Sequence, residues 1–209
     1  MIESTRPETP RDAWQAILYG NRRFVSGTPA HPRQDIDRRE SLAARQKPFA
    51  ALFGCSDSRL SAEIIFDVGL GDLFVVRNAG QVIAETILGS LEYSVEVLGV
   101  PLILVLGHDE CGAIRATIDS TEGKLESKGE FIHDLVERIR PTVEAANRDG
   151  KHHIDDITQL HIQDTINELL TRSKLIADAV KAGKLAVVGA NYTLSRGEIA
   201  TIFTSDNLN

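Results

Sequence analysis

The sequence is organised around the stretch Phe53-Gly54-Cys55-Ser56-Asp57-Ser58-Arg59, which continues an apolar run over residues 49–53. It contains one of the chain's two cysteines, followed within four residues by a carboxylate and a guanidinium. A second stretch, Gly107-His108-Asp109-Glu110-Cys111-Gly112, follows the apolar residues 102–106 and contains the other cysteine. Neither apolar run alternates with polar residues, which is typical of parallel strands buried on both faces. The function therefore depends on whether these two strand ends meet.

Strand and helix patterns alternate along the chain. The strands are predicted over residues 49–54, 73–77, 102–107 and 184–190, with a short edge strand over residues 198–204. The helices are predicted over residues 11–25, 39–45, 62–66, 85–98, 113–118, 131–148 and 154–182, the last with a break near Ser173. This alternation predicts an α/β fold with a mostly parallel central β-sheet flanked by helices. We expect residues 1–209 to form a single domain, with residues 1–10 as a flexible tail.

The helix predicted over residues 11–25 carries Trp14, the only tryptophan, on its apolar side. A helix near a chain terminus with this much apolar surface is suited to covering another molecule. We therefore expect this N-terminal helix to pack on a neighbouring subunit.

The composition is that of an ordinary globular protein, with 42% hydrophobic and 25% charged residues. The net charge is −7 and there is no long basic block, which argues against nucleic acid or an anionic membrane as the main partner. No apolar run approaches the roughly 18–20 residues that span a bilayer, and the N-terminus lacks a signal pattern. The sequence therefore predicts a cytoplasmic protein whose two cysteines are free thiols.

Soft metal ligands stand where ligand sites form in parallel sheets, at the carboxyl ends of strands. If the two strands are neighbours, Cys55 converges with His108 and Cys111, which are three residues apart. Three such ligands with a fourth position left open are the catalytic zinc pattern, and thiolates favour zinc over magnesium or calcium. Taken singly, each residue has an ordinary structural interpretation, as a buried thiol or a hydrogen-bonded strand-end histidine. The joint pattern favours a zinc site.

These residues resemble the β-class carbonic anhydrases. The resemblance is carried by residues 55–59 and 107–112, and by two segments between them, Phe74-Val75-Val76-Arg77-Asn78-Ala79-Gly80 and Leu88-Gly89-Ser90-Leu91-Glu92-Tyr93. It runs from about residue 11 to residue 192 and is most specific between residues 46 and 112.

The resemblance implies one zinc ion per subunit, bound by Cys55, His108 and Cys111, and a catalytic dyad of Asp57 and Arg59. Zinc lowers the pKa of a bound water to roughly 7, and the resulting hydroxide attacks carbon dioxide to give bicarbonate and a proton. Asp57 would orient that hydroxide, and Arg59 would hold Asp57 ionised. The implied activity is the reversible hydration of carbon dioxide.

The resemblance also implies a substrate pocket. Gln46 stands where the family places a substrate hydrogen-bond donor, and the amide of Gly112 contributes to the same pocket. Phe74, Ala79 and Tyr93 match the apolar wall, part of which comes from a second subunit. The chain is therefore expected to self-associate as a dimer or a tetramer.

Some family members switch to an inactive form in which the aspartate, here Asp57, becomes the fourth zinc ligand. Some of these lock that form with bicarbonate, through a tryptophan, an arginine and a tyrosine. The corresponding positions here are Leu52, Arg77 and Tyr192, and Leu52 departs from the pattern. We therefore expect no bicarbonate site of that kind and an open zinc site at alkaline pH.

The sequence names no proton shuttle, since five histidines lie outside the motifs and are expected to be exposed: His31, His133, His152, His153 and His161. Two other functions stay open. One is hydrolysis of another small linear molecule, such as carbon disulfide or carbonyl sulfide, on the same fold. The other is a noncatalytic, zinc-stabilised α/β module, which an intact Asp57–Arg59 pair argues against because a structural zinc site takes four protein ligands.

Overall fold

A five-stranded sheet with the order β2-β1-β3-β4-β5 forms the centre of the computed structural model, which describes residues 6–125 and 128–208. The first four strands are parallel, and β5 pairs with β4 in the antiparallel direction. The strands are β1 (Ala50–Cys55), β2 (Leu73–Asn78), β3 (Leu102–His108), β4 (Ala186–Tyr192) and β5 (Ile199–Thr204). The predicted α/β fold with a mostly parallel sheet is confirmed.

Helices cover both faces of this sheet. They are α1 (Pro10–Val25), α2 (Ile36–Leu42), α3 (Ala62–Ile65), α4 (Glu85–Glu96), α5 (Gly112–Thr121), α6 (Glu130–Arg148), α7 (Ile154–Arg172) and α8 (Lys174–Lys181). Short 3-10 turns occupy Ala79–Gln81 and Asp206–Leu208. The predicted break near Ser173 is confirmed, because this residue separates α7 from α8 and caps the second helix with its hydroxyl. No helix within the described ranges has the length and apolarity of a membrane span.

The three central strands are buried along their whole length, which explains their largely apolar sequences. On one face, the even-numbered residues of β1, β3 and β4 pack with α1 and α3. On the other, the odd-numbered residues pack with α4, α7 and α8. A third cluster at the carboxyl edge joins Cys55 and Cys111 to apolar residues of α5, α6 and α7.

Helix α1 packs on its own chain. Ala13, Trp14 and Ile17 are buried against the sheet and α3. The apolar side on which a contact with a neighbouring subunit was expected is thus already covered, and such a contact stays a prediction for the helix's other faces. Residues 1–5 of the expected flexible tail lie outside the described part. In the remainder, Arg6 donates to the carbonyls of Lys47 and Pro48, and flexibility of residues 1–10 stays a prediction.

A buried carboxylate fixes the loop that follows α1. Asp67 accepts hydrogen bonds from the backbone N–H groups of Ala30 and His31, at 2.8 and 2.9 Å, and pairs with Arg23. Burial alone would raise the pKa of Asp67, but these donors outweigh it and hold the pKa below its usual value. Asp67 therefore stabilises this loop as an ionised group.

Candidate active site

Three metal-ligand side chains meet at the carboxyl edge of the sheet. Cys55 is the last residue of β1 and His108 is the last residue of β3, and these strands pair in parallel. Cys111 precedes the first residue of α5, where the chain turns back over the edge. The two sulfurs and a ring nitrogen of His108 all lie within 4.8 Å of one another, and all three residues are buried. The convergence predicted from the two strand ends is confirmed.

The ring of His108 is oriented for ligation. Its Nδ1 lies 2.7 Å from the carbonyl oxygen of Asp109. Because a carbonyl can only accept, Nδ1 carries the proton and Nε2 presents a lone pair. His108 is fully buried, and its Nε2 meets hydrogen-bond geometry with none of the described residues. Such an orphaned nitrogen is costly unless a cation binds it.

The two thiols share a proton unequally. A hydrogen bond with Cys111 is the main reason that the pKa of Cys55 falls to about 4, against the opposing effect of burial. The same hydrogen bond, together with burial, raises the pKa of Cys111. The negative charge of the pair is thus favoured on Cys55. A divalent cation would take the place of the shared proton.

Asp57 and Arg59 form a two-point ion pair beside this cluster. Oδ1 of Asp57 accepts from Nε of Arg59 at 2.9 Å, and Oδ2 accepts from Nη2 at 2.7 Å. The backbone N–H of Arg59 also donates to Oδ1, at 2.9 Å. The hydrogen bonds from Arg59 are the main reason that the pKa of Asp57 is lowered. Oδ2 lies 3.9 Å from Nε2 of His108, so an ionised carboxylate faces the ligand cluster.

Arg77 braces the loop that carries Cys55 and Asp57. From the neighbouring strand β2, its Nε donates to the carbonyl of Cys55 at 2.9 Å, and its Nη2 donates to the carbonyl of Asp57 at 2.7 Å. Sequence reasoning considered Arg77 only as a bicarbonate ligand and missed this contact. The other two positions of that comparison, Leu52 and Tyr192, are 3% and 4% exposed and lie in the apolar cluster under α1.

A second contact was missed at Gly80, whose backbone N–H donates to Sγ of Cys55 at 3.4 Å. The carbonyl of Gly80 accepts from His161 of α7. The prediction that His161 is exposed is wrong, since only 4% of it is accessible. His161 lies four residues after the buried Ile157, on the same side of α7. This helical spacing in the sequence could have indicated that His161 is buried. The other four histidines are exposed as predicted.

The predicted pocket residues are only partly assembled by a single chain. The rings of Phe74 and Tyr93 lie 6.0 Å apart between centroids, and Tyr93 is 44% exposed. Gln46, Ala79 and Gly112 are also exposed. The apolar wall is therefore open to solvent on the side of the edge strand β2.

A thiolate–imidazole ligand set beside a carboxylate–guanidinium pair, at the carboxyl edge of a parallel sheet, defines an α/β protein with a candidate catalytic metal centre. The chain belongs to the carbonic anhydrase family, whose family model, "Carbonic anhydrase", matches residues 50–199. It is 51% identical over 189 residues to "Carbonic anhydrase 2" of Mycobacterium tuberculosis, with 90% of each chain covered.

Solved structures share the fold. The structure of the β-carbonic anhydrase CcaA matches with a TM-score of 0.70 and 26% identity, covering 90% of this chain and 86% of that one. One of two tetrameric β-carbonic anhydrases from Sordaria macrospora matches with a TM-score of 0.71 and 23% identity, covering 91% and 96% of the two chains.

Proposed function

We propose that this protein catalyses the reversible hydration of carbon dioxide with one zinc ion per subunit, held by Cys55, His108 and Cys111. The observation that carries the proposal is the buried, unpartnered Nε2 of His108, which faces two thiols and lies 3.9 Å from an ionised carboxylate. Two sulfurs and one imidazole are a donor set that zinc prefers, and three protein ligands leave one position for a reactant. Zinc in such a site supplies hydroxide near neutral pH.

Asp57 orients the nucleophile in this proposal. Its pairing with Arg59 keeps it ionised, and Oδ2 retains a lone pair that can accept a hydrogen bond from a reactant at the cluster. Accepting that hydrogen bond would hold the nucleophile's own lone pair toward the carbon of carbon dioxide. The arrangement with Asp57 on Arg59 corresponds to the open form. In the closed form Asp57 would leave Arg59 and become the fourth ligand.

The substrate pocket requires a second subunit. Phe74 and Tyr93 form an apolar surface next to β2, an edge strand that pairs only with β1 in the described part of the chain. We propose that a second copy of the chain covers this surface and completes the wall around carbon dioxide, with Gln46 and the amide of Gly112 as hydrogen-bond donors. The tetrameric Sordaria macrospora enzyme supports assembly as a dimer or tetramer. Light scattering after size-exclusion chromatography tests it, and a monomer would contradict it.

Two features bear on regulation and location. Because Leu52 and Tyr192 are buried and Arg77 is engaged by backbone carbonyls, we propose that the chain has no bicarbonate site at these positions. Bicarbonate should therefore not inhibit the enzyme by stabilising the closed form, in which Asp57 is the fourth metal ligand.

Two free thiols are typical of a reducing compartment, which supports a cytoplasmic location.

Stopped-flow measurement of carbon dioxide hydration tests the main proposal, with zinc quantified in each preparation. The wild-type protein should contain one zinc ion per chain and be active, Cys55→Ser should lose zinc and activity, and Asp57→Ala should keep zinc and lose activity. Full activity of Asp57→Ala would contradict the assigned role. A zinc-loaded but inactive wild-type protein would favour a noncatalytic module, and turnover of carbonyl sulfide instead would favour the alternative hydrolase.

A further inference from the structure

His161 is a polar residue in an apolar setting. It lies in the middle of α7, where Ile157, Ile162 and Ile166 are fully buried. Burial lowers the pKa of His161, so the ring is neutral and carries one N–H group. A buried imidazole is less favourable than an apolar side chain of similar volume unless its polar atoms are used. The partner of the His161 N–H therefore indicates the role of this residue.

The N–H of His161 donates to the backbone of Gly80, the residue that contacts the metal ligand Cys55. Its Nε2 lies 2.7 Å from the carbonyl oxygen of Gly80, which can only accept, so Nε2 is the donor. The backbone N–H of Gly80 donates in turn to Sγ of Cys55, at 3.4 Å. Gly80 is thus held at its carbonyl by α7 and presents its N–H to the sulfur.

Gly80 does not fix this geometry by itself. Its φ of 73° lies in the left-handed region, and a Cβ would come within 2.8 Å of the Ala113 Cβ and 2.9 Å of the Ile139 Cδ1. Only glycine fits, but glycine is also the most flexible residue. The next residue, Gln81, has a φ of 39°, which is unfavourable for a non-glycine residue. An outside contact is therefore needed to keep the Gly80 N–H on the sulfur, and His161 supplies it.

We propose that His161 is a positioning residue for the metal centre: by holding the carbonyl of Gly80, it keeps the Gly80 N–H hydrogen-bonded to the sulfur of Cys55. The inference rests on the proposed metal site. An N–H donor withdraws electron density from a thiolate, so it weakens the charge that the sulfur donates to a bound cation. Contacts of this outer kind typically alter metal affinity by about 10- to 100-fold when they are removed.

Cobalt(II) substitution tests the proposal, because a thiolate bound to cobalt gives a charge-transfer band in the near ultraviolet. The variants are His161→Leu, which removes the donor, and His161→Gln, whose amide can restore it. Thr158→Val is the matched control. Thr158 is also buried on α7, and among the described residues its hydroxyl bonds only to the carbonyl of Ile154 in the same helix, at 2.8 Å.

In His161→Leu the band should move to longer wavelength, because the sulfur electrons are less stabilised, and cobalt affinity should change by about 10-fold or more. His161→Gln should restore the wild-type band, and Thr158→Val should leave it unchanged. If His161→Leu does not fold, His161→Asn replaces it, because its shorter amide does not reach Gly80.

An unshifted band in the variants that lack the donor would overturn the proposal. So would an equal shift in Thr158→Val, which would mean that any packing change in α7 moves the band. A wild-type protein without a thiolate–cobalt band would instead refute the metal site itself, so the two failures are distinguishable.

Discussion

Replacing Asp57 by Asn separates the proposed catalytic role of this residue from any structural one. The asparagine keeps the size of the side chain but removes its charge and turns one acceptor oxygen into an NH2 group. In the native protein Asp57 accepts three hydrogen bonds from Arg59, two from the guanidinium and one from the backbone N–H. The NH2 group of the variant would face a guanidinium donor, so at least one of these bonds is lost.

The loss should cost little stability. The side chain of Arg59 is 52% exposed, so water replaces much of the interaction, and ion pairs of this kind contribute at most about 1 kcal/mol. The effect on catalysis should be much larger. Side chains positioned for general acid–base catalysis raise reaction rates by about 100- to 10,000-fold. This corresponds to about 2.7–5.5 kcal/mol of the activation barrier.

Stopped-flow carbon dioxide hydration and urea unfolding, measured on the same zinc-loaded preparations, test this contrast. Glu198→Gln is the matched control, because Arg196 and Glu198 form an exposed pair with the same spacing in sequence, at 3.0 Å. Both variants should unfold within about 1 kcal/mol of the wild type. An activity loss below about 5-fold in Asp57→Asn, against the 100-fold minimum expected, would refute the assigned role. So would an activity loss fully explained by lost zinc.

Three further predictions follow from individual contacts. Asp67→Asn should destabilise the protein by about 1–3 kcal/mol at pH 7. Because the pKa of Asp67 is lowered in the folded protein, the stabilisation is complete above the unfolded pKa of about 3.9 and is lost as the pH falls through the folded pKa. The free energies of unfolding of the variant and the wild type, measured as a function of pH, should therefore converge in acid. Arg77→Met should lower kcat by up to about 100-fold with a smaller change in KM, because the loop that carries Asp57 loses its hydrogen bonds to the Arg77 guanidinium. An unchanged kcat in steady-state kinetics would contradict this. A chelator should lower the Tm of the wild-type protein but not of Cys55→Ser, and equal shifts in calorimetry would mean that the stabilising metal lies elsewhere.

Most of the fold and the ligand cluster could be predicted from the sequence, because both depend on local patterns. Uninterrupted apolar runs marked the buried parallel strands, and the carboxyl ends of such strands share one edge of a sheet. Cys55 and His108 were therefore expected to meet if their strands are neighbours, and the parallel pairing of β1 with β3 supplies that condition. Local reasoning could not assign the cover of α1, because an apolar helix face does not reveal whether its own chain or another covers it; Ala13, Trp14 and Ile17 are covered by their own chain, and a contact with a neighbouring subunit stays a prediction.

The sequence by itself determined which groups can do chemistry: the two thiols, the imidazole of His108, and the Asp57–Arg59 pair that shares a strand end with Cys55. Their types and short spacings are properties of the chain before it folds. Only the tertiary structure decided how these groups are held. Arg77 reaches Cys55 across 22 residues of sequence, and His161 reaches Gly80 across 81. No local pattern records such contacts, because they arise from the pairing of β1 with β2 and the packing of α7 over the carboxyl edge of the sheet.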